Sequence, residues 1–220
     1  GASRDAFEHI IQVHECELNS VTDNPLVFDD GDIISGGNFH GQPLALTLDY
    51  AAIALSEIAS ISERRTYLLL EGHDGLPKLL MKDTGINSGF MIPQYTAAAL
   101  VSENKVLSHP ASVDSIPSSL GQEDHVSMGS ISALKLLSIL HNVEGVLAVE
   151  MLTAAQALDF RAPLQPGRGV RAAHKLIREQ VGHAEEDYEV GADIDVCTRL
   201  LRSGDWVQSV ASSLSGPVAR

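Results

Sequence analysis

One stretch of the chain limits the possible folds more than any other. Residues 126–160 form a single helical pattern that is apolar on most sides. A second stretch, residues 43–70, has no Gly or Pro after its first residue and carries Leu, Ile and Ala at helical spacing. A helix of about 30 residues is about 45 Å long, and a helix that is apolar all round is buried by other helices. The patterns therefore predict a long-helix bundle shared between the subunits of a homo-oligomer, with these two helices antiparallel or nearly so.

The rest of the pattern indicates little β-structure. Apolar residues at 26–28 and 33–34 flank an Asp-Asp-Gly-Asp run, which is typical of a short hairpin. Five further stretches show helical periodicity: residues 3–18, 94–107, 169–181, 194–202 and 206–214. The predicted fold is all-α, a long-helix bundle with one small β-hairpin near the N-terminus, and we expect one helical domain over residues 1–220.

Composition restricts the class of partner and the compartment. The formal net charge of −14 repels phosphate backbones and anionic lipid, so we expect neither a nucleic-acid nor a membrane partner. The most apolar stretch, residues 143–160, carries two Glu residues, which favours a buried helix over a membrane span. Cys16 and Cys197 form no CxxC motif, and the N-terminus shows no signal-peptide pattern, so we expect a cytoplasmic protein. The histidines lack metal-ligand spacing, so no metal is expected.

Two polar runs lie in glycine-flanked loops. They read Ser-Gly-Gly-Asn-Phe-His-Gly-Gln-Pro at 35–43 and Gln-Glu-Asp-His-Val-Ser-Met-Gly at 122–129. A non-catalytic helical assembly module has no need of such residues, so the runs favour a ligand site over that alternative. Glu123 and Asp124 fall where the pattern predicts a helix start, and free N–H groups favour carboxylates there. Capping of the helix is therefore the alternative role for both acids.

Both runs resemble signatures of the aromatic amino-acid ammonia-lyase family. Supporting stretches follow in the same order at 23–27, 87–91 and 109–115, and the resemblance extends from Asn19 to about Arg161. It implies non-oxidative elimination of ammonia from a small-molecule substrate, which is histidine, phenylalanine or tyrosine. The family's electrophile is a methylidene-imidazolone that forms autocatalytically from an Ala-Ser-Gly segment, and this chain contains no such segment.

The resemblance also implies how the chain is used. The chain begins without Met, and we expect it to be the C-terminal part of a larger ammonia-lyase. We expect it to be inactive alone and to assemble with the N-terminal half of the same enzyme. The family implies a homotetramer whose active sites are built by more than one subunit.

Four positions are candidates for the site. Asn24 resembles the Asn near the substrate carboxylate, and its alternative role is an Asx turn. Phe39 resembles the Phe that walls the aromatic pocket, and its alternative is ordinary core packing. Glu123, the catalytic candidate, stands where members acting on phenylalanine or tyrosine usually hold Gln, and Gln122 is a weaker substrate-binding candidate by adjacency.

Glu123 decides the expected substrate. A carboxylate can accept the N–H of an imidazole, stabilise positive charge on that ring and act as a base. An apolar ring would gain nothing from it, because a buried carboxylate costs free energy unless it is partnered. The sequence therefore favours L-histidine, with trans-urocanate as product, in the first step of histidine degradation. A phenylalanine or tyrosine ammonia-lyase or aminomutase of the same family is the alternative. His40 and His125 are expected to be structural partners rather than catalysts.

Overall fold

The structure is a computed structural model that describes residues 1–215. The described residues form seven α-helices and one two-stranded hairpin, so the all-α prediction with one small hairpin is confirmed. The helices are α1 (Ala2–Leu18), α2 (Gln42–Leu70), α3 (Met91–Leu107), α4 (Gly129–Asp159), α5 (Arg168–Arg178), α6 (Gly191–Ser203) and α7 (Asp205–Ser215). The strands are β1 (Leu26–Val27) and β2 (Ile33–Ile34).

The hairpin forms where the Asp-Gly step predicted it. β1 and β2 are antiparallel, with Leu26 opposite Ile34 and Val27 opposite Ile33. The turn places Gly31 at φ +94°, a conformation that glycine adopts without a steric penalty. The amide of Phe28 donates to the carbonyl of Asp32 at 2.9 Å and closes the turn.

The start of the second long helix differs from the prediction. α4 begins at Gly129, and residues 122–128 are not helical. The residues just before the helix are bound to other loops: the Val126 amide donates to Ser115 Oγ at 3.0 Å, and Ser127 Oγ donates to the carbonyl of His40. Glu123 and Asp124 therefore lie before the helix, and the prediction that they sit at its start was wrong.

The chain divides into two compact units, which we describe separately. Unit 1 comprises Gly1–Ile58 and Glu103–His141. Its buried hydrophobic residues are mostly alanines, together with Ile10 and Ile139. At its start, α2 meets the start of α4: a Cβ at Gly129 would lie 3.7 Å from Ala45 Cβ, and Lys135 Nζ lies 3.2 Å from Asp49 Oδ1. The two helices thus run in the same direction here, and the expectation of antiparallel packing was wrong.

The physical reason lies in the connection between the two helices. α3 lies between α2 and α4 in the chain, and a connection that contains a helix can return the chain to the end from which it started. Consecutive long patterns in a sequence are therefore not necessarily antiparallel neighbours.

Unit 2 comprises Ala59–Ser102 and Asn142–Arg220, of which 216–220 lie outside the described residues. Its core contains the fully buried side chains of Phe90, Leu152 and Ile177. Gln156 is also buried, and its amide group is saturated by the main chain: Nε2 donates to the carbonyl of Ala184 at 2.9 Å, and Oε1 accepts from the Ala184 amide at 3.1 Å. The prediction of one domain over 1–220 stays a prediction.

The end of α4 in unit 2 carries an ionic cluster. The carboxylate of Asp159 accepts hydrogen bonds from His174 at 2.7 Å, from His183 at 2.8 Å and from Arg178 at 2.7 Å. Burial alone would raise the pKa of Asp159, but these three hydrogen bonds outweigh it and hold the pKa below its usual value. Asp159 therefore joins α4 to α5 and to the segment that follows α5.

Two of the helices, α2 and α4, are long and apolar enough to cross a membrane by length and composition. Core helices of soluble proteins meet the same criterion. In their most apolar windows, 39% of the α2 residues and 44% of the α4 residues are buried by this chain alone. The absence of a membrane partner stays a prediction.

Candidate active site

Asn24 is exposed and lies in the turn before the hairpin. Its Oδ1 accepts a hydrogen bond from the Gly36 amide at 3.1 Å and lies 3.5 Å from Ser35 Oγ. An amide oxygen is the only end of an Asn side chain that can accept from N–H, so this contact also determines where Nδ2 points. Among residues 1–215, Nδ2 has no hydrogen-bond partner. Asn24 therefore has a structural role through Oδ1 and a free donor in Nδ2.

Phe39 lies in the loop that follows the hairpin, and 51% of it is exposed. The expected alternative, burial in the core, is therefore not what the structure shows. The loop is held close to the Asn24 turn by Gly37, which has φ +127° and would place a Cβ 2.8 Å from the carbonyl oxygen of Asp23. Only glycine fits this approach, and the loop presents the ring of Phe39 outward.

Gln122 and Glu123 lie in an exposed loop before α4. The carbonyl of Glu123 accepts from the Ser118 amide at 3.0 Å, which closes a tight turn. Inside that turn Ser119 and Leu120 have φ +51° and +58°, a left-handed conformation that is costly for residues with a side chain. The backbone of Glu123 is thus held by its own turn, while its carboxylate is exposed to solvent.

The structure brings these loops together within unit 1. The rings of His40 and His125 are in edge contact with centroids 5.0 Å apart, and Ser127 Oγ donates to the carbonyl of His40. His40 follows Phe39, and His125 lies two residues after Glu123. The four predicted residues make no direct hydrogen bond or ring contact with one another within the described chain, so they are linked through their neighbours.

Below these loops lies an ion pair that sequence analysis missed. Asp49 is 3% exposed; its Oδ2 accepts from the Ser112 amide at 2.7 Å, and its Oδ1 lies 3.2 Å from Lys135 Nζ. Burial alone would raise the pKa of Asp49, but the hydrogen bonds from Ser112 and Lys135 and the Lys135 charge hold that pKa below its usual value. Lys135 also donates to the carbonyl of His109. The pair therefore anchors residues 109–112, the start of the segment that leads to Glu123.

Charge spacing was the signal that could have found this pair. Asp49 is the only charged residue between Pro43 and Ser56, and Lys135 is the only Asp, Glu, Lys or Arg between Val126 and Val143. A lone charge in an apolar helix needs a partner when it is buried, so two such charges of opposite sign indicate a pair.

Neither a metal cluster nor the cavity of unit 2 coincides with these loops within residues 1–215. In the described part of the chain, no group of three or more His, Cys, Asp or Glu residues is arranged to hold a metal ion. A cavity of about 630 Å³ lies in unit 2, lined by residues that include Leu69, Asp74 and Arg161, and it contains none of the four predicted site residues. The candidate site is therefore an exposed set of loops in unit 1 rather than a closed cavity.

Comparison with known proteins identifies the family of the chain. The model of the family described as "Aromatic amino acid lyase" matches residues 1–179. The chain belongs to the aromatic amino acid lyase family.

Individual relatives cover the chain almost completely. This chain is 56% identical over 217 residues to histidine ammonia-lyase of Natranaerobius thermophilus. The aligned region covers 97% of this chain and 43% of that protein. Its fold matches the crystal structure of histidine ammonia-lyase from Trypanosoma cruzi with a TM-score of 0.93 and 47% identity, over 97% of this chain and 43% of that one. Tyrosine aminomutase from Streptomyces globisporus matches with a TM-score of 0.92 and 37% identity, over 99% and 42%. The chain therefore spans less than half the length of these relatives.

Proposed function

We propose that this chain is part of an enzyme that eliminates ammonia from L-histidine to give trans-urocanate. The observation that carries the proposal is Glu123: a carboxylate, exposed on a loop that is tied through His125 and His40 to the exposed ring of Phe39. The similarity to histidine ammonia-lyases over 97% of the chain supports the same substrate.

Each proposed site residue has a role that its chemistry allows. Asn24 donates from Nδ2 to the substrate carboxylate, since its Oδ1 is already engaged by Gly36. Phe39 forms an apolar wall for the substrate ring. Glu123 accepts the N–H of the imidazole and stabilises positive charge on that ring. Gln122, adjacent and exposed, is a further polar contact.

The reaction also needs an electrophile. An amide, a phenyl ring and a carboxylate can bind a substrate or move a proton, and none of them can withdraw electrons from an amine. Asn24, Phe39 and Glu123 therefore fit an electrophile that another part of the enzyme brings to them. We propose that this is the methylidene-imidazolone implied by the family resemblance, formed from an Ala-Ser-Gly segment that this chain does not contain. When bound, it supplies the activation of the amino group as a leaving group.

Assembly is part of the proposal. α2 exposes Leu46, Tyr50 and Ile53 in unit 1, and α4 exposes Leu134 and Leu137. Apolar faces of this kind are covered in stable assemblies. We propose that the N-terminal half of the enzyme and further subunits of a homotetramer cover them, in a cytoplasmic enzyme without nucleic-acid or membrane partners.

A second activity is favoured by one observation. Tyrosine aminomutase shares the fold at a TM-score of 0.92 over 99% of the chain, so the scaffold also fits an enzyme of that kind. The two candidates differ in the substrate ring, and the carboxylate of Glu123 favours the imidazole because that ring can carry a positive charge, whereas a phenol offers only a neutral O–H donor.

The activity can be tested directly. The complete enzyme should convert L-histidine to trans-urocanate, which is followed by ultraviolet absorbance, and it should release ammonia in equal amount. The 220-residue chain alone should give no product, because it lacks the electrophile-forming segment. Product from the isolated chain would refute the proposal that it is only part of the active enzyme, and a complete enzyme that prefers tyrosine would favour the second candidate.

Asn24 allows a separate test of carboxylate binding. Asn24→Asp keeps an oxygen acceptor for the Gly36 amide and replaces the donor Nδ2 with a charged oxygen. Losing a hydrogen bond to a charged group costs about 1.5 kcal/mol, and the new carboxylate also repels that of the substrate, so we expect at least roughly a tenfold higher KM for histidine, with the thermal stability nearly unchanged. Steady-state kinetics would contradict the assignment if KM stayed the same while the variant remained folded.

A further inference from the structure

Two histidine rings connect the loop of Phe39 to the loop of Glu123. The centroids of the Phe39 and His40 rings are 5.1 Å apart, with an angle of 67° between the planes. The ring of His40 also meets that of His125, with the centroids 5.0 Å apart and an angle of 74° between the planes. Edge-to-face contacts at such distances are favourable and have a defined geometry. Phe39, His40 and His125 therefore form a continuous row of three rings.

The Nδ1 atom of His40 does not explain the position of the ring. This atom is buried and has no hydrogen-bond partner among the described residues. Buried polar atoms nearly always have a partner, so an exception needs a reason. The ring is half-buried and is held by its two ring neighbours. What His40 contributes in this structure is thus a flat ring of the right size at the junction.

A hydrogen bond to the main chain also joins the two loops at His40. Ser127 Oγ donates to the carbonyl of His40. A Cβ at Gly41 would lie 3.8 Å from Ser127 Oγ, and one at Gly129 would lie 3.7 Å from the carbonyl oxygen of Gly41, so the two segments approach to within about one methyl group of contact. A change in the His40 ring therefore falls where the two loops meet.

We infer that His40 is a positioning residue for substrate selection: its ring, acting through His125, holds the wall at Phe39 and the carboxylate loop of Glu123 in one fixed relation. A substrate imidazole then meets the wall and the carboxylate together. This role rests on the proposed function, because it concerns the same substrate ring. His40 touches neither substrate nor electrophile in this account.

The experiment uses the complete enzyme with four variants. His40→Ala removes the ring, His40→Phe keeps a ring of similar size without nitrogen, and His125→Ala removes the second member of the row. His9→Ala is the matched control, since His9 lies in the same unit and its ring neighbour, with centroids 6.5 Å apart, is Tyr50 and not a member of the three-ring row. The measurements are kcat and KM for histidine and phenylalanine, and hydrogen exchange of peptides that cover 35–41 and 122–128.

We expect His40→Ala and His125→Ala to raise KM for histidine roughly tenfold or more, since small displacements at a site have effects of this size. The preference for histidine over phenylalanine should fall, and both loops should exchange faster. The KM of His40→Phe for histidine should stay within about threefold of that of the parent enzyme, because a ring of similar volume is retained. His9→Ala should change none of these values.

Two results would overturn the inference. In the first, His40→Phe is as impaired as His40→Ala, so that a nitrogen and not the ring is required. In the second, His40→Ala and His9→Ala show the same hydrogen exchange in both loops and the same KM for histidine, so that His40 does not couple the loops. If His40→Ala does not fold, His125→Ala and His40→Phe decide by the same criteria. A parent enzyme without activity on histidine would refute the proposed function, while the exchange data would still decide whether the ring row couples the loops.

Discussion

Replacing Glu123 by Gln in the complete enzyme should lower kcat/KM for histidine by between roughly tenfold and a hundredfold. Gln keeps the shape of the side chain and removes the charge. A hydrogen bond to a charged group contributes about 1.5–3 kcal/mol, and this difference converts directly into kcat/KM. Phenylalanine should lose far less, or improve relative to histidine, because its ring makes no use of the charge. Tyrosine should also lose less than histidine, because Gln can still accept its neutral phenol O–H.

The neighbouring acid provides the control for this prediction. Asp124 is also exposed and lies in the same loop, so Asp124→Asn removes the same charge one residue away. It should leave the kinetics of all three substrates nearly unchanged. Equal losses on histidine, phenylalanine and tyrosine in Glu123→Gln would mean that Glu123 supports the loop, and unchanged kinetics would remove it from the site.

Replacing Lys135 by Met should destabilise the packing of residues 109–112, which the Asp49–Lys135 pair anchors, by about 3–5 kcal/mol. This is the usual cost of removing one partner of a buried ion pair. Asp49 would stay buried without its cation, and the carbonyl of His109 would lose its donor. The amide of Ser112, which donates to Asp49, reports the effect locally. Its hydrogen exchange in the complete enzyme should become at least roughly a hundredfold faster.

An exposed pair gives the matched control. Lys82 and Glu185 are 3.2 Å apart, with side chains 63% and 66% exposed. Lys82→Met should cost less than about 1 kcal/mol, because water screens an exposed pair. The double variant Asp49→Asn with Lys135→Met should recover part of the loss, since no buried charge remains. Exchange at Ser112 that does not differ between Lys135→Met and Lys82→Met would show that the pair does not anchor the loop.

The pH dependence of the anchor follows from the depressed pKa of Asp49. The folded pKa lies below the ordinary value of 3.8, so the ionised carboxylate is favoured by folding. This contribution to stability is fully present above pH 3.8 and is lost as the pH falls through the folded pKa. Exchange at Ser112, corrected for its intrinsic pH dependence, should therefore show a loss of protection only in acid. Asp49→Asn should abolish that step.

Local patterns predicted which secondary-structure elements form, but not where the second long helix begins. The long apolar stretches became α2 and α4, and the Asp-Gly step became the turn of the hairpin. These features depend on residues a few positions apart, because a helix repeats over 3.6 residues and a tight turn needs one permissive residue. The family also followed from short ordered motifs, which the match to residues 1–179 bears out.

Tertiary structure decided how these pieces meet. The sequence alone predicted a helix start at 126 and antiparallel long helices. The structure starts α4 at Gly129, because Val126 and Ser127 are bound to Ser115 and His40. It also shows the beginnings of α2 and α4 side by side, where Asp49 meets Lys135. Contacts between residues that are far apart in the chain have no periodicity that a local pattern could reveal.

The candidate site shows the same division. The resemblance of short motifs to the family pointed to Asn24, Phe39 and Glu123, and the chemistry of each suits one part of an amino-acid substrate. Only the folded chain shows that Asn24 is engaged through Oδ1, that Phe39 is exposed, and that His40 and His125 join the loops. The reason is physical: the chemistry of a side chain belongs to its sequence position, whereas its free atoms, its exposure and its neighbours exist only after distant loops have packed together.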